Sequence, residues 1–495
     1  MNKNHNNTVQ SLLREYFRSI GSKSYLVDIL EERDYSYNDL FLKSFFIKSL
    51  LDSRISRGEC IGLILTKPSL YMPSILACWQ AGIFPAIIDN KISFDRLREI
   101  KSIVNFKYLL VDTELDGWEN NNQIIIEDSE KEYEILSEIK IDIDENNQPS
   151  ILFFSSGTTG IPKCVPLSLS NIVKNIQSFN TRLSIDVRPV YLCTSPLFYA
   201  HGLYNSFISA LISGGQVLYG GVLNAFNAEK VLISSKLNHA SIYHITPSMI
   251  PILTTIRKKT KEEMPNFDHI ICGTSKLRLK DKLEFENIFS KKITQQYGMT
   301  ESLFMTVNDD CQDKKPESVG RPINCVLKII DNDGNDIKHG KNGNIVVKSE
   351  SFFGEYYNQE DETNLAYDNG WFKTGDLGIL DEEGYLIISG RKKEIIKKGG
   401  FNINPIEIDD VIRKYTDIID AATVGVEDMK YGEEIYSFII AKNFIDKEKL
   451  DSHLRNNLQP RSIPKKIFFL KKFPKSESGK ILTSTLKKMA KELCM

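Results

Sequence analysis

Nine consecutive residues, Ser155-Ser156-Gly157-Thr158-Thr159-Gly160-Ile161-Pro162-Lys163, carry the densest anion-binding chemistry in the chain. Glycine lets backbone N–H groups come close to phosphate oxygens, the hydroxyls add donors, and the lysine adds positive charge. The order does not fit G-x-x-x-x-G-K-[ST], so this is not a Walker A loop. An isolated loop of Gly, Ser and Thr would be an ordinary surface connection. What sets this one apart is the set of segments that follow it in order. They are Tyr297-Gly298-Met299-Thr300-Glu301, Thr374-Gly375-Asp376, Gly390-Arg391-Lys392-Lys393-Glu394 through Pro405, and Pro474-Lys475-Ser476-Glu477-Ser478-Gly479-Lys480. They combine cations and glycines, which suit a polyanion, with carboxylates, which suit a hydroxyl pair or a metal ion.

The elements that position these segments read as α/β. Short apolar runs at 61–65, 85–88, 107–111, 123–127, 151–154, 216–219 and 242–245 predict strands. Helical periodicity at 71–81 and 171–183 predicts helices between them, and such alternation favours parallel sheets covered by helices. After residue 319 the texture changes. Runs at 325–330, 343–349, 371–372, 377–380 and 385–389, with turn signals Asp333-Gly334 and Glu383-Gly384, predict a compact β-barrel-like region. From residue 394 strands at 421–426, 436–441 and 466–470 and helices at 405–415 and 447–458 predict a small α+β domain. The expected architecture is a large N-terminal α/β domain over 1–389, a hinge at 390–393, and a mobile C-terminal domain over 394–495. The polar stretch 142–147 reads as a surface linker.

Hydrophobic residues make up 41% of the 495, enough to build large cores. A formal net charge of -2 gives no reason to expect a nucleic-acid or acidic-membrane partner. No two of the 8 cysteines form C-x-x-C, and none sits at zinc-site spacing from a histidine. They read as reduced, mostly buried thiols. The polar N-terminus has no signal-peptide core and no stretch of about 18 apolar residues occurs. The expected location is cytoplasmic.

Five motifs in order resemble the adenylate-forming superfamily, which contains acyl- and aryl-CoA synthetases, firefly luciferases and nonribosomal adenylation domains. The resemblance runs from about residue 30 to the C-terminus and is closest to the acyl-CoA synthetases. It implies an acid–thiol ligase that uses ATP and Mg2+ to make an acyl-adenylate, then passes the acyl group to coenzyme A. Physical roles stand beside it. Tyr297 offers a flat face for adenine, with Gly298 and Met299 beside it. Thr300 suits a phosphate oxygen, and Glu301 is a hard oxygen ligand for Mg2+ bridging ATP phosphates. Asp376 can accept two hydrogen bonds from a ribose diol. The resemblance places Gly273, Thr274 and Ser275 at a wall of the adenine pocket, although a plain strand-to-loop turn reads nearly as well. It places Arg391 at the nucleotide, Lys393 at the hinge, and Lys397 and Asn402 where polar residues serve the adenylate or thioester formation. Lys392 and Lys398 read as a solvated basic face. Lys480 follows Ser-Gly and can pair with both the attacking carboxylate and the α-phosphate. The tail around it is Lys-rich, so only the 474–479 context singles it out.

Pro196-Leu197-Phe198-Tyr199-Ala200-His201-Gly202 resembles the segment lining the acyl pocket. Tyr199 stands where relatives carry histidine or another aromatic gate. His201 reads about equally as a pocket residue and as a satisfied core histidine. Amino-acid-activating relatives carry aspartate in this segment, and the match here is Ala200, which counts against an α-amino acid. Gln296 replaces a glycine common in fatty- and aryl-acid relatives, and predicts a short or polar carboxylic acid substrate. Cys164 replaces another common glycine. Without an attached carrier domain, free CoA is the leading acceptor. A separate phosphopantetheinyl carrier protein is the alternative. A nucleotide-sensing pseudoenzyme is the reading from a different class, and the presence of Lys163, Glu301, Asp376, Arg391 and Lys480 opposes it.

Overall fold

A computed structural model describes residues 9–128, 141–143, 150–155, 162–260, 265–309, 312–476 and 479–493. The chain divides into two compact units, residues 1–327 with 347–372, and residues 328–346 with 373–495. Compactness therefore groups residues 328–346 and 373–389 with the second unit, whereas the expectation from sequence grouped them with the first and set 390–393 apart as a hinge.

Two sheets build the first unit. The larger runs in the order Arg321–Pro322, Leu303–Asn308, Ile293–Met299, His269–Cys272, Ile242–Ile245, Val190–Cys193, Gln216–Tyr219, Ser24–Asp28, Arg33–Ser36. Its central pairings are parallel, and antiparallel strands finish both edges. The second sheet orders Gln123–Ile125, Tyr108–Val111, Cys60–Ile64, Phe84–Ile87, Ile151–Ser155 and Lys163–Leu167. The last two strands form an antiparallel hairpin in which Ser155 pairs with Lys163. All five residues of Cys60–Ile64 are buried, as expected for a strand covered on both faces. Helix Pro68–Ala81 is apolar all round and buried along nearly its whole length, so it belongs to a core rather than a surface. Its Trp79 Nε1 donates to the Ser150 carbonyl at 2.7 Å.

The strands expected at 371–372 and 377–380 are one strand, Trp371–Leu380, in a five-stranded sheet. The expected linker is corrected in part. Ile143 is buried, as is Ile141, whose carbonyl accepts from Arg14 Nε at 2.9 Å. Residues 144–149 lie outside the described residues.

In the second unit, strands Phe401–Ile403, Ile396–Lys398, Gly432–Ala441 and Ile418–Asp428 lie in that order, and Lys466–Phe469 pairs with Gly432–Ala441. Gly432–Ala441 is apolar on both faces because each face is covered. Ile435 and Ile439 pack with Ile408 and Ile412 of helix Pro405–Arg413, while Tyr436 and Phe438 pack with Leu486 and Ala490 of helix Thr483–Glu492.

Candidate active site

The hairpin Ile151–Ser155/Lys163–Leu167 presents Ser155 and Lys163 at the two ends of the phosphate-loop motif. Ser156, Gly157, Thr158, Thr159 and Gly160 lie outside the described residues. Ser155 Oγ donates to Glu301 Oε1 at 2.9 Å, and the Tyr356 hydroxyl donates to the same oxygen at 3.0 Å. Glu301 is 4% exposed, a buried carboxylate held by two donors on one oxygen. Burial first, then the Glu301 charge, push the Tyr356 phenol far above its ordinary range, so it remains a donor. Lys163 Nζ lies 4.7 Å above the Tyr356 ring and pairs with Glu362 Oε2 at 2.6 Å. Thus a hydroxyl, an ammonium and an oriented carboxylate converge at the ends of the loop. Oε2 of Glu301 meets no protein donor among the described residues. Mg2+ is commonly bound through one or two carboxylates plus substrate phosphates, and this carboxylate fits that role.

Tyr356, Glu362 and Gln359 were not singled out from sequence. Gln359 ties the hairpin down, its Nε2 donating to the Pro162 carbonyl at 2.9 Å and its Oε1 accepting from Cys164 N at 2.8 Å. The signal was faint: an aromatic pair, Tyr356-Tyr357, ahead of the acidic start of helix Glu360–Ala366. Cys164 has a structural account. Its side chain is fully buried in the apolar core under the second sheet, and its carbonyl accepts from Tyr357 N at 2.9 Å.

The Tyr297 motif continues the strand Ile293–Met299, which pairs with Leu303–Asn308. Gly298 is dictated by this pairing: a Cβ there would lie 2.0 Å from the Leu303 carbonyl oxygen. Leu303 itself has φ 59°, unusual for a branched side chain. Gly298→Ala should therefore lower stability by about 1–3 kcal/mol, the usual range for overpacking, and urea unfolding checks it. At the neighbouring strand end, Gly273 gives way to Gln296: a Cβ on Gly273 would meet Gln296 Nε2 at 2.2 Å. Gln296 is 8% exposed, and its Oε1 has no hydrogen-bond partner among the described residues. Thr274 Oγ1 is likewise buried without a partner, on a residue with φ 74°. Ser275 is exposed. Thr300 and Met299 are half-buried beside them.

Tyr199 stacks obliquely on Phe198 at 4.4 Å between ring centres. His201 is half-buried and its Nδ1 shares a 2.9 Å hydrogen bond with Ser195 Oγ. Its ring meets His244 edge to face at 6.3 Å. His244 was missed from sequence because it sits in an apolar strand. It is buried among Phe179, Tyr191 and Phe304. Burial first, then His201 and His269, hold its imidazole well below the usual range, so it is neutral at physiological pH.

In the second unit Asp376 is 5% exposed and lies opposite Arg391 in the strand pair, with Arg391 Nε 3.1 Å from Asp376 Oδ1. Asp376 N donates to Thr374 Oγ1 at 3.1 Å across Gly375, whose φ of +75° favours glycine. Lys393 is exposed in the short 3-10 turn Lys392–Glu394. Lys397 and Asn402 are exposed register partners in the hairpin Ile396–Lys398/Phe401–Ile403. Lys392 is exposed as expected, but Lys398 is not a solvated cation: its Nζ pairs at 2.5 Å with Glu434, which is 4% exposed. Lys480 is exposed, and the turn before it is closed by Ser476 N to the Lys480 carbonyl at 2.8 Å and Gly479 N to the Ser476 carbonyl at 2.9 Å.

The chain belongs to the family of AMP-binding enzymes. The AMP-binding enzyme family model matches residues 18–357, and that of the AMP-binding enzyme C-terminal domain matches residues 407–480. It is therefore an enzyme of the adenylate-forming class, as the motifs implied. It is similar to a probable CoA ligase of Humulus lupulus, 30% identical over 338 residues that cover 67% of this chain and 64% of that protein. The aligned stretch thus spans less than two thirds of the Humulus relative. It is also similar to the 2-succinylbenzoate–CoA ligase of Bacillus subtilis, 27% identical over 468 residues covering 93% of this chain and 94% of the other. Its fold matches Bacillus subtilis O-succinylbenzoate coenzyme A synthetase in complex with AMP, with a TM-score of 0.84 at 25% identity, covering 96% and 98% of the two chains.

Proposed function

We propose that this protein is an AMP-forming acid–thiol ligase that joins a short or polar carboxylic acid to coenzyme A. The observation that carries the reading is the buried Glu301 carboxylate, held by Ser155 and Tyr356 beside Lys163 at the ends of the phosphate-loop motif. In the first half-reaction the 155–163 segment and Thr300 bind the ATP phosphates, Tyr297 the adenine, and Asp376 with Arg391 the ribose. Glu301 would hold Mg2+, whose positive charge would offset that of the phosphates. The substrate carboxylate attacks the α-phosphorus and pyrophosphate leaves, while Lys480 offsets the accumulating negative charge. In the second half-reaction the CoA thiol attacks the acyl carbonyl and AMP departs, with Lys397 and Asn402 serving this step. Residues 390–393 act as the hinge between the two steps, with Lys393 as the residue about which the chain turns.

No protein nucleophile is needed. Burial pushes the Cys193 thiol up to about 11 and the Cys325 thiol up to about 12, which keeps both as neutral thiols. The cysteines described are all unpaired, which suits the reducing cytoplasm. No described helix is long and apolar enough to cross a membrane.

Gln296 supports the short or polar acid class. Its amide occupies the space left by Gly273, and its buried, unpartnered Oε1 is a polar atom that a polar acid could satisfy and an alkyl chain could not. The test is pyrophosphate release with ATP and Mg2+ across a panel running from short and polar acids, 2-succinylbenzoate among them, to long-chain fatty acids. Release with short or polar acids, accelerated by CoA, is the expected result. Activity restricted to long chains overturns the substrate class. Release indifferent to CoA moves the acceptor to a phosphopantetheinyl carrier protein, and no release with any acid restores the pseudoenzyme.

A further inference from the structure

The hairpin that carries Lys397 and Asn402 is too small to hold itself. Its strands, Ile396–Lys398 and Phe401–Ile403, have 3 residues each. Gly399 and Gly400 join them with φ of +57° and +84°, the backbone of a tight two-residue turn. A lone two-stranded hairpin is marginal in water, so contacts from outside must fix this one. Backbone supplies part of the grip. Lys398 lies opposite Gly432 of the long strand Gly432–Ala441, and Gly399 N donates to the Tyr431 carbonyl at 2.7 Å. Two adjacent carboxylates of that strand supply more. Glu433 Oε2 accepts from Lys397 N at 2.7 Å, in the place of a ladder carbonyl. Glu434 Oε1 accepts from Ile435 N at 2.9 Å and pairs with Lys398 Nζ at 2.5 Å.

Successive strand residues point to opposite faces, and the register sorts this hairpin cleanly. Ile396 pairs with Ile403 and Lys398 with Phe401, so these four share one face. Lys397 pairs with Asn402 on the other, where both are exposed. The first face is gripped from both strands. Ile396 and Ile403 are buried in the core, Lys398 reaches the buried Glu434, and the Phe401 ring lies 4.3 Å from the Arg461 guanidinium. An apolar contact would stabilise such a face as well as a buried ion pair does. What the ion pair adds is a fixed length and direction.

We propose that Glu434 is a positioning residue for thioester formation: through Lys398 it fixes the face of the hairpin that presents Lys397 and Asn402. The assignment of that hairpin to the second half-reaction is the reading on which this rests. Adenylation does not call on the hairpin, so it does not call on the pair.

The two half-reactions, assayed separately in the full chain, test this. The probe for the second is CoA with the synthetic adenylate of an acid that supports pyrophosphate release. Glu434→Gln removes the charge and keeps an acceptor for Ile435 N. It should slow thioester formation by about 10–100-fold, the scale of a displacement of about 1 Å at the reacting atoms, and leave pyrophosphate release at the wild-type rate. Lys398→Met removes the charge from the less buried partner, where misfolding is less of a risk, and should give the same split. Lys398→Arg keeps a cation within reach of Glu434 and should keep most of the thioester rate. Equal loss of both half-reactions in Glu434→Gln and Lys398→Met overturns the proposal, because it marks a merely structural pair. So does an undiminished thioester rate in both, while Lys397→Ala is slow; the hairpin then keeps its role and Glu434 has none. A wild type that forms no thioester, or undiminished rates in both Lys397→Ala and Asn402→Ala, overturns the reading of the hairpin and the proposal with it.

Discussion

Lys480→Ala should lower acyl-adenylate formation by about 10²–10³-fold, the range for removing a group that stabilises developing charge, while thioester formation from supplied acyl-adenylate persists. The argument rests on charge. A carboxylate approaching the α-phosphate brings two anions together, and one fixed ammonium offsets both. Lys480 is positioned by a short turn rather than by packing, closed at Ser476 and Gly479. Being exposed, it contributes little to stability, so the alanine variant should unfold within about 0.5 kcal/mol of wild type. Two assays separate the steps: pyrophosphate release for the first, and AMP release from synthetic acyl-adenylate plus CoA for the second. Equal loss in both would sink the division of labour between Lys480 and the Lys397–Asn402 hairpin.

Glu301→Gln should be nearly as damaging for a different reason. The glutamine keeps the shape, and its carbonyl oxygen can still accept from Ser155 and Tyr356, so the buried site stays satisfied. What disappears is the negative charge that a hard cation needs. Pyrophosphate release should fall by about 10²-fold or more, and the Mg2+ concentration for half-maximal rate should rise. Tyr356→Phe is the control. It removes one hydrogen bond to a charged group, worth about 1.5–3 kcal/mol, and leaves the charge in place. Its Mg2+ dependence should move less than that of Glu301→Gln. A Mg2+ titration unchanged in Glu301→Gln would make this carboxylate a structural anchor only.

Much of the strand pattern was legible because parallel strands covered on both faces must be continuously apolar. Cys60–Ile64, Phe84–Ile87, Gln216–Tyr219 and Ile242–Ile245 all announce themselves that way. The boundary between the units was less legible. It falls within strands that look alike on either side, and compactness depends on partners distant in sequence.

The linear order of residues by itself determined which chemical groups this protein has to offer: the hydroxyl- and glycine-rich loop, Glu301, Asp376, Arg391 and Lys480, because such groups are specified by residue type and local spacing. Tertiary structure alone decided what each of them touches. Ser155 and Glu301 are 146 residues apart, and nothing in either segment names the other. Tyr356 gave only a faint signal because a tyrosine in a loop has no periodicity to betray it, and Lys398 looked solvated until Glu434 met it from another strand. Gly298 was chosen by a carbonyl on the neighbouring strand. Local sequence sets conformation and chemical capacity, whereas long-range packing sets the partners, and partners decide whether a charge is paired, solvated or poised to react.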